Sequence, residues 1–342
     1  MSISLFRICV NYLASIIAAI AIIWSNLIIY GIEQAKGQLT IVNNSIPFQE
    51  LLSDRSSPIS TKQKIKLIRE IKGFAVDSLG LSNSSSYSSI FLDKKDSILL
   101  TITACAPLSF QPKEWSFPIL GEVPYKGYFN PNKAQRELQQ LKEQGYDIQA
   151  YYPAAWSTLG WLNDPILPGM LNYSDGRLAE LIIHEMCHST IFVKSDIKFN
   201  ENLANFIGKQ GALQFLIDKY GIHSQHYQKY LNKLADDNTF SNYMNSGFIQ
   251  LDSLYRSNQP KELLLSEKER IINRIVSEVD SLQLYNKQGF KNYAQQAVTE
   301  KNAFFMSFQR YNAEYFNFKD KLSTEYNGNL KSYIDQLKLL YQ

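Results

Sequence analysis

The distribution of apolar positions divides the chain before any chemistry is considered. From Ile8 to Ile32 there is no charged residue, and the run SIIAAIAIIWSNLIIYGI is apolar nearly throughout. It is long enough to cross a bilayer as a helix, with Trp24 and Tyr30 toward its far end, where amphipathic rings favour the interface. A cleaved signal peptide is the rival reading, since Ala19-Ile20-Ala21 resembles an A-x-A site. Cleavage there would leave a second apolar run, Ile22 to Ile32, at the new terminus, and the whole stretch is too long for a signal-peptide core. A retained single-pass anchor over residues 8–32 is therefore expected. Arg7 and the terminal amine flank it on one side and Glu33 with Lys36 on the other, a small bias toward an amino terminus inside the cytoplasm.

Beyond the anchor the pattern changes to short amphipathic elements. Ser60-Thr61 followed by Lys62 to Phe74 predicts a capped helix with Ile65, Leu67, Ile68, Ile71 and Phe74 on its apolar side. Ser97 to Ala104 predicts a buried strand rich in β-branched residues. Asn132 to Gln144 predicts a polar helix stopped by Gly145, and Asp147 to Tyr152 a second strand. The segment Ala155 to Trp161 reads as an aromatic-flanked stretch that could lie along a substrate cleft by strand addition, or pack as an ordinary strand or turn. After residue 175 the pattern is almost wholly helical, with runs over Asn205–Tyr220, from His223 to about Leu254, Glu262–Val279 and Tyr293–Leu340.

Candidate chemistry concentrates at Leu181–Phe206. The chain has four histidines, and two of them stand in His184-Glu185-Met186-Cys187-His188, an HExxH pattern. On a helix capped by Ser174-Asp175 these two lie one turn apart on one face, so both imidazoles can reach one metal ion. Glu185 is rotated away from that face and is free to act as a general base toward water. The apolar set Phe199, Leu203, Phe206 and Ile207 predicts a second helix, and Glu201 sits off that face. A His184, His188, Glu201 set would hold Zn²⁺ and leave a fourth position open, the mark of a catalytic rather than a structural zinc site. The metzincin pattern is excluded because Ile191 and Lys194 stand where it needs glycine and histidine. Asp196, in a connecting loop, is a rival third ligand. Asn200 and Asn205 are candidates to steady the Glu201 carboxylate, and His223, His226 and Tyr227 to donate to an oxyanion.

The sequence also resembles the predicted aminopeptidases of bacteria, a gluzincin-like group of metallopeptidases. The resemblance runs through Tyr30-Gly31 with Gln34 to Leu39, Pro118 to Gly121, Tyr125-Lys126-Gly127-Tyr128-Phe129, Ser157 to Trp161, Asp164-Pro165, His184 to His188, and Phe199-Asn200-Glu201 with Ala204. It implies an α+β, mainly helical zincin-like domain, an aminopeptidase activity on peptide or protein substrates, and metal and catalytic roles at His184, His188, Glu201 and Glu185. It also adds to the bias that places the catalytic part outside the cytoplasm, on the periplasmic side.

Composition narrows the alternatives only a little. A length of 342 residues and 45% hydrophobic content are sufficient for a packed domain, and a net charge of +3 without a basic cluster gives no ground for a nucleic-acid partner. The three cysteines form no disulfide framework, and Cys187 reads as a small core residue. The expected organisation is an anchor over 1–33 and a peptidase domain over 34–342, divided into a β-containing part (34–175) and a helical part (176–342). An endopeptidase, a hydrolase of non-peptide bonds and a membrane-tethered, non-catalytic zinc protein remain as rivals. The chain lacks a G-x-M-E-N-like segment for holding a free amino terminus.

Overall fold

The computed structural model describes residues 27–92, 99–117, 121–153, 163–194, 196–309 and 315–341. The segment Ala155–Trp161 and most of the expected anchor, residues 8–26, lie outside them. Among the described residues no helix is long and apolar enough to cross a membrane.

Residues 27–43 are helical (α1), so the expected boundary between 33 and 34 falls inside a helix. One face of α1 docks on the β-containing part. The Tyr30 hydroxyl and the Gln34 amide both donate to the Gly127 carbonyl, at 2.9 and 3.1 Å, and the Gln38 amide donates to Asp164 Oδ1 at 3.3 Å. Gly37 completes this face, because a Cβ there would overlap the Phe129 ring. Positions 30, 34, 37 and 38 are helical neighbours, which explains why the run from Tyr30 to Gln38 stands out in the sequence. Tyr30, expected at a membrane–water boundary, instead packs its ring on Phe117. Outside this face Ile28, Ile29 and Ile32 are exposed.

The next elements are β1 (Ser45–Pro47), α2 (Phe48–Ser53), α3 (Ile59–Asp77), β2 (Ser89–Phe91), β3 (Leu100–Cys105), β4 (Trp115–Phe117), β5 (Gly121–Val123), β6 (Lys126–Tyr128), α4 (Pro131–Glu143) and β7 (Asp147–Tyr151). β3 is the centre of a three-stranded antiparallel sheet in the order β6-β3-β7, while β1-β2 and β4-β5 form separate pairs. The helix expected at 62–74 starts earlier, at Ile59 after Pro58, with no side-chain cap at Ser60-Thr61. Proline's fixed φ suits a helix entrance, and this outweighs the serine and threonine as the start signal. α4 follows the expectation closely: Asn130 caps its start and Gly145, at φ +79°, follows its end.

The helical part contains α5 (Asp175–His188), α6 (Ile197–Tyr220), α7 (Gln225–Tyr255), α8 (Lys261–Glu278), α9 (Lys287–Ala294), α10 (Gln296–Glu300), α11 (Asn302–Gln309), α12 (Tyr315–Thr324) and α13 (Leu330–Tyr341). Two apolar centres organise it. The larger gathers α3, α5, α6 and α13 around Ile68, Ile182, Ile183, Leu203, Phe206 and Ile334. The other lies between α7, α8 and α11, around Phe240, Met244, Ile275, Phe304 and Phe305. A buried ion pair, Lys268 with Asp147, ties α8 to the start of β7, and the Asn302 backbone N–H donates to the same carboxylate at 3.1 Å. Such a pair tolerates burial only because its remaining valences are filled.

Candidate metal centre

α5 begins at the Ser174 cap, whose hydroxyl accepts from the Arg177 N–H, and its apolar residues bury it on several sides. The helix packs closely along α6 because α6 offers small residues to it. A Cβ on Gly208 would stand 2.8 Å from the Glu180 carbonyl oxygen and 3.1 Å from His184 Cβ, and one on Gly211 would crowd Leu79 and Ile183. Gly208 therefore lets α6 lie directly against the turn that carries His184. Its replacement by alanine is expected to cost about 1–3 kcal/mol, the range of other insertions into packed interfaces. A chemical-denaturation midpoint compared with wild type checks this, and an unchanged midpoint would contradict the packing argument.

This close pairing brings together residues from two helices. His188 Nε2 lies 3.1 Å from His184 Nε2, 3.4 Å from Glu201 Oε1, and His184 Nε2 lies 3.7 Å from Glu201 Oε2. Among the described residues these three form the one group of His, Cys, Asp or Glu side chains whose ligand atoms all lie within 4.8 Å of one another. Four ligands at zinc distances of about 2.0–2.1 Å, set tetrahedrally, stand about 3.3 Å apart. The observed separations fall on either side of that value, so the donor set fits the ion. Protonation states agree with this. Burial pushes the His184 imidazole down to about 3, with the His188 ring adding to the shift and the Glu180 carboxylate opposing it. Burial alone takes His188 down to about 4. Both rings are thus neutral near pH 7, as ligation requires. Loss of hydration raises the Glu201 pKa, and a divalent cation among the three groups would reverse that shift.

Glu185 is 8% exposed and lies outside the three-ligand group, consistent with a role separate from ligation. Cys187 is buried, and burial raises its thiol pKa. It is a core residue, as expected. Asp196 lies outside this group and caps α6, its Oδ1 accepting the Phe199 N–H at 3.0 Å. Asp196→Ala is expected to cost about 1 kcal/mol of stability and to leave zinc affinity as in wild type. Thermal unfolding and a zinc titration check the pair of outcomes.

Two expected supports for Glu201 are placed elsewhere. Asn200 clamps the connection between the helices, accepting from the Val193 N–H and donating to the Val193 carbonyl, both at 2.8 Å. A short connection needs its backbone groups satisfied, and Asn200 does this from within the first turn of α6. Asn205 lies against His184 instead, where its carboxamide favours the protonated ring. The imidazole of His226 is also remote. It is 3.3 Å from Asp175 Oδ2 and stacks on Tyr220, nine residues before His184 along α5, or about 14 Å of helix. Tyr227 packs against the larger core, and His223 lies past the end of α6.

Tyr125 is half-exposed, and partial loss of hydration, with a smaller contribution from the Glu201 carboxylate, raises its pKa. No spacing rule joins residue 125 to residue 201.

A family model described as "Putative aminopeptidase" matches residues 29–342. Neither a curated protein nor a solved structure matches the chain.

Proposed function

The chain belongs to the family described as "Putative aminopeptidase", and from that premise we propose that it is a zinc-dependent peptidase of gluzincin type. The observation that carries this reading is the spacing of His184, His188 and Glu201, three donors on two packed helices at 3.1, 3.4 and 3.7 Å from one another, close to the separations of a tetrahedral zinc site. A zinc ion held there would supply Lewis acidity, acidifying water and polarising a peptide carbonyl.

The chain's own residues do the rest. Glu185 takes the proton of the attacking water and returns it to the leaving amine, so that one carboxylate serves as base and then as acid. Gly208 and Asn200 keep α5 and α6 in the register that brings Glu201 to the histidines. We also propose that the apolar run upstream of the docked Tyr30 anchors the protein in a membrane as a single-pass segment, with the peptidase domain outside the cytoplasm. In this reading the substrate is a peptide or protein.

The reading is tested with the full chain in detergent, presented with peptides that differ only in a free or acetylated amino terminus, with and without a chelator. An aminopeptidase cleaves only the free form, and the chelator abolishes cleavage. Equal cleavage of both forms would make the protein an endopeptidase. Cleavage that survives full removal of metal would sink the zinc mechanism.

A further inference from the structure

A cleft of about 380 Å³ is bounded by α3, the start of α2 and the loop that leads into β2, and none of the candidate metal ligands lines it. Its size is that of many small-molecule sites, which combine apolar walls with a few convergent polar groups. Here Phe48 and Tyr87 give the apolar walls, and Gln49, Arg69, Lys72 and Ser88 bring polar side chains. Arg69 and Lys72 stand three residues apart on α3, so they share one helical face. The walls are fixed by backbone bonds: the Phe48 N–H donates to the Ser88 carbonyl at 3.0 Å, and the Tyr87 N–H to the Asp164 carbonyl at 2.6 Å. Tyr87 itself holds a φ of +57°, a strain that persists only where neighbours over-determine it.

The charges of this cleft are not balanced from within. Lys72 Nζ donates to the Ser84 and Ser86 carbonyls and to Ser88 Oγ, three neutral acceptors. They satisfy its N–H groups and leave its positive charge without an anion. Burial pushes the ammonium down to about 8, and no carboxylate opposes that shift. Arg69 is exposed and, among the described residues, pairs with no carboxylate. Because Ser88 Oγ accepts from Lys72, its own hydrogen is left to donate elsewhere.

We propose that this cleft binds a small organic anion, whose carboxylate or phosphate group lies between Arg69 and Lys72 and whose apolar part rests on Phe48 and Tyr87. The planar fork of Arg69 takes two oxygens of the anion at once. Ser88 donates its hydroxyl hydrogen to the same group, held in place by Lys72, which supplies the second positive charge. The site is independent of the peptidase reading, since no metal ligand takes part in it.

The test is a calorimetric titration of the full-length protein in detergent at pH 7 with phenylacetate, phenyl phosphate and the uncharged phenylacetamide. At least one of the two anions is expected to saturate at one equivalent, and the tighter one names the head group. Phenylacetamide should bind about tenfold more weakly or not at all. Arg69→Gln changes an exposed side chain, so its unfolding temperature should match wild type while its affinity for the anion falls about tenfold or more. His188→Ala should keep the wild-type affinity, which separates this cleft from carboxylate binding at a metal ion. The proposal is overturned if neither anion saturates at millimolar concentration, if phenylacetamide binds as tightly, or if Arg69→Gln binds like wild type. Loss of binding in His188→Ala with Arg69→Gln unaffected would also overturn it, by assigning the anion to the metal centre.

Discussion

Replacing His188 by alanine is expected to strip the protein of zinc at concentrations where wild type is fully loaded. His188 is 7% exposed and its Nε2 stands closest to both other donors, 3.1 Å from His184 and 3.4 Å from Glu201. Its loss leaves one imidazole and one carboxylate, a set too small for a tetrahedral site. The fall in affinity should exceed the roughly 10–100-fold that removal of an outer-shell partner causes. Peptide cleavage should fall in step with zinc occupancy. Competition against a chromophoric chelator measures the affinity directly. A variant that binds zinc as tightly as wild type would remove His188 from the ligand set.

Glu185→Gln separates chemistry from ligation. Glutamine keeps the shape of the buried side chain but cannot take a proton from water, so kcat should fall by about 10²–10⁴, the usual contribution of a positioned base. Zinc affinity should stay near the wild-type value, because Glu185 lies outside the group formed by His184, His188 and Glu201. Loss of zinc together with turnover would make Glu185 a ligand and reverse the assignment of roles.

The candidate metal ligands were the most legible part of the sequence, because their signal is local. His184 and His188 are one helical turn apart, and the apolar periodicity from Phe199 placed Glu201 on a second helix. The spatial agreement of the three donors could not be read from either helix alone. It depends on Gly208, whose lack of a side chain matters only because the Glu180 carbonyl and His184 lie against it. The supporting residues were misread for the same reason. Asn200 looked like a support for Glu201 but turns to the Val193 backbone, and Asp196, the rival to Glu201 as third ligand, serves as a cap. A short polar side chain at a helix start has two uses, and spacing does not separate them.

Long elements with a clear period were read to within a few residues, as for α4, α7 and α8. The last part of the chain was read too coarsely. Tyr293–Leu340 was expected as amphipathic helices with no boundaries placed between them, and the described residues there fall into the end of α9 and α10 to α13. One break is at Lys301, whose φ is +49°, and it lets the Asn302 N–H reach Asp147 on the distant sheet. Such a tertiary contact leaves no periodic trace. The docking of α1 was missed differently. The long apolar run suggested a boundary at its end, while the residues that join it to the domain, Tyr30, Gln34, Gly37 and Gln38, are mostly polar or small.

The most direct test is a zinc titration of chelator-stripped, full-length protein, with cleavage of a peptide followed at each addition. If His184, His188 and Glu201 hold a catalytic ion, activity rises from nothing and saturates at one equivalent of zinc. His188→Ala shows no rise over the same range. Full cleavage before any metal is added, or saturable zinc binding without cleavage of any peptide, would contradict the account.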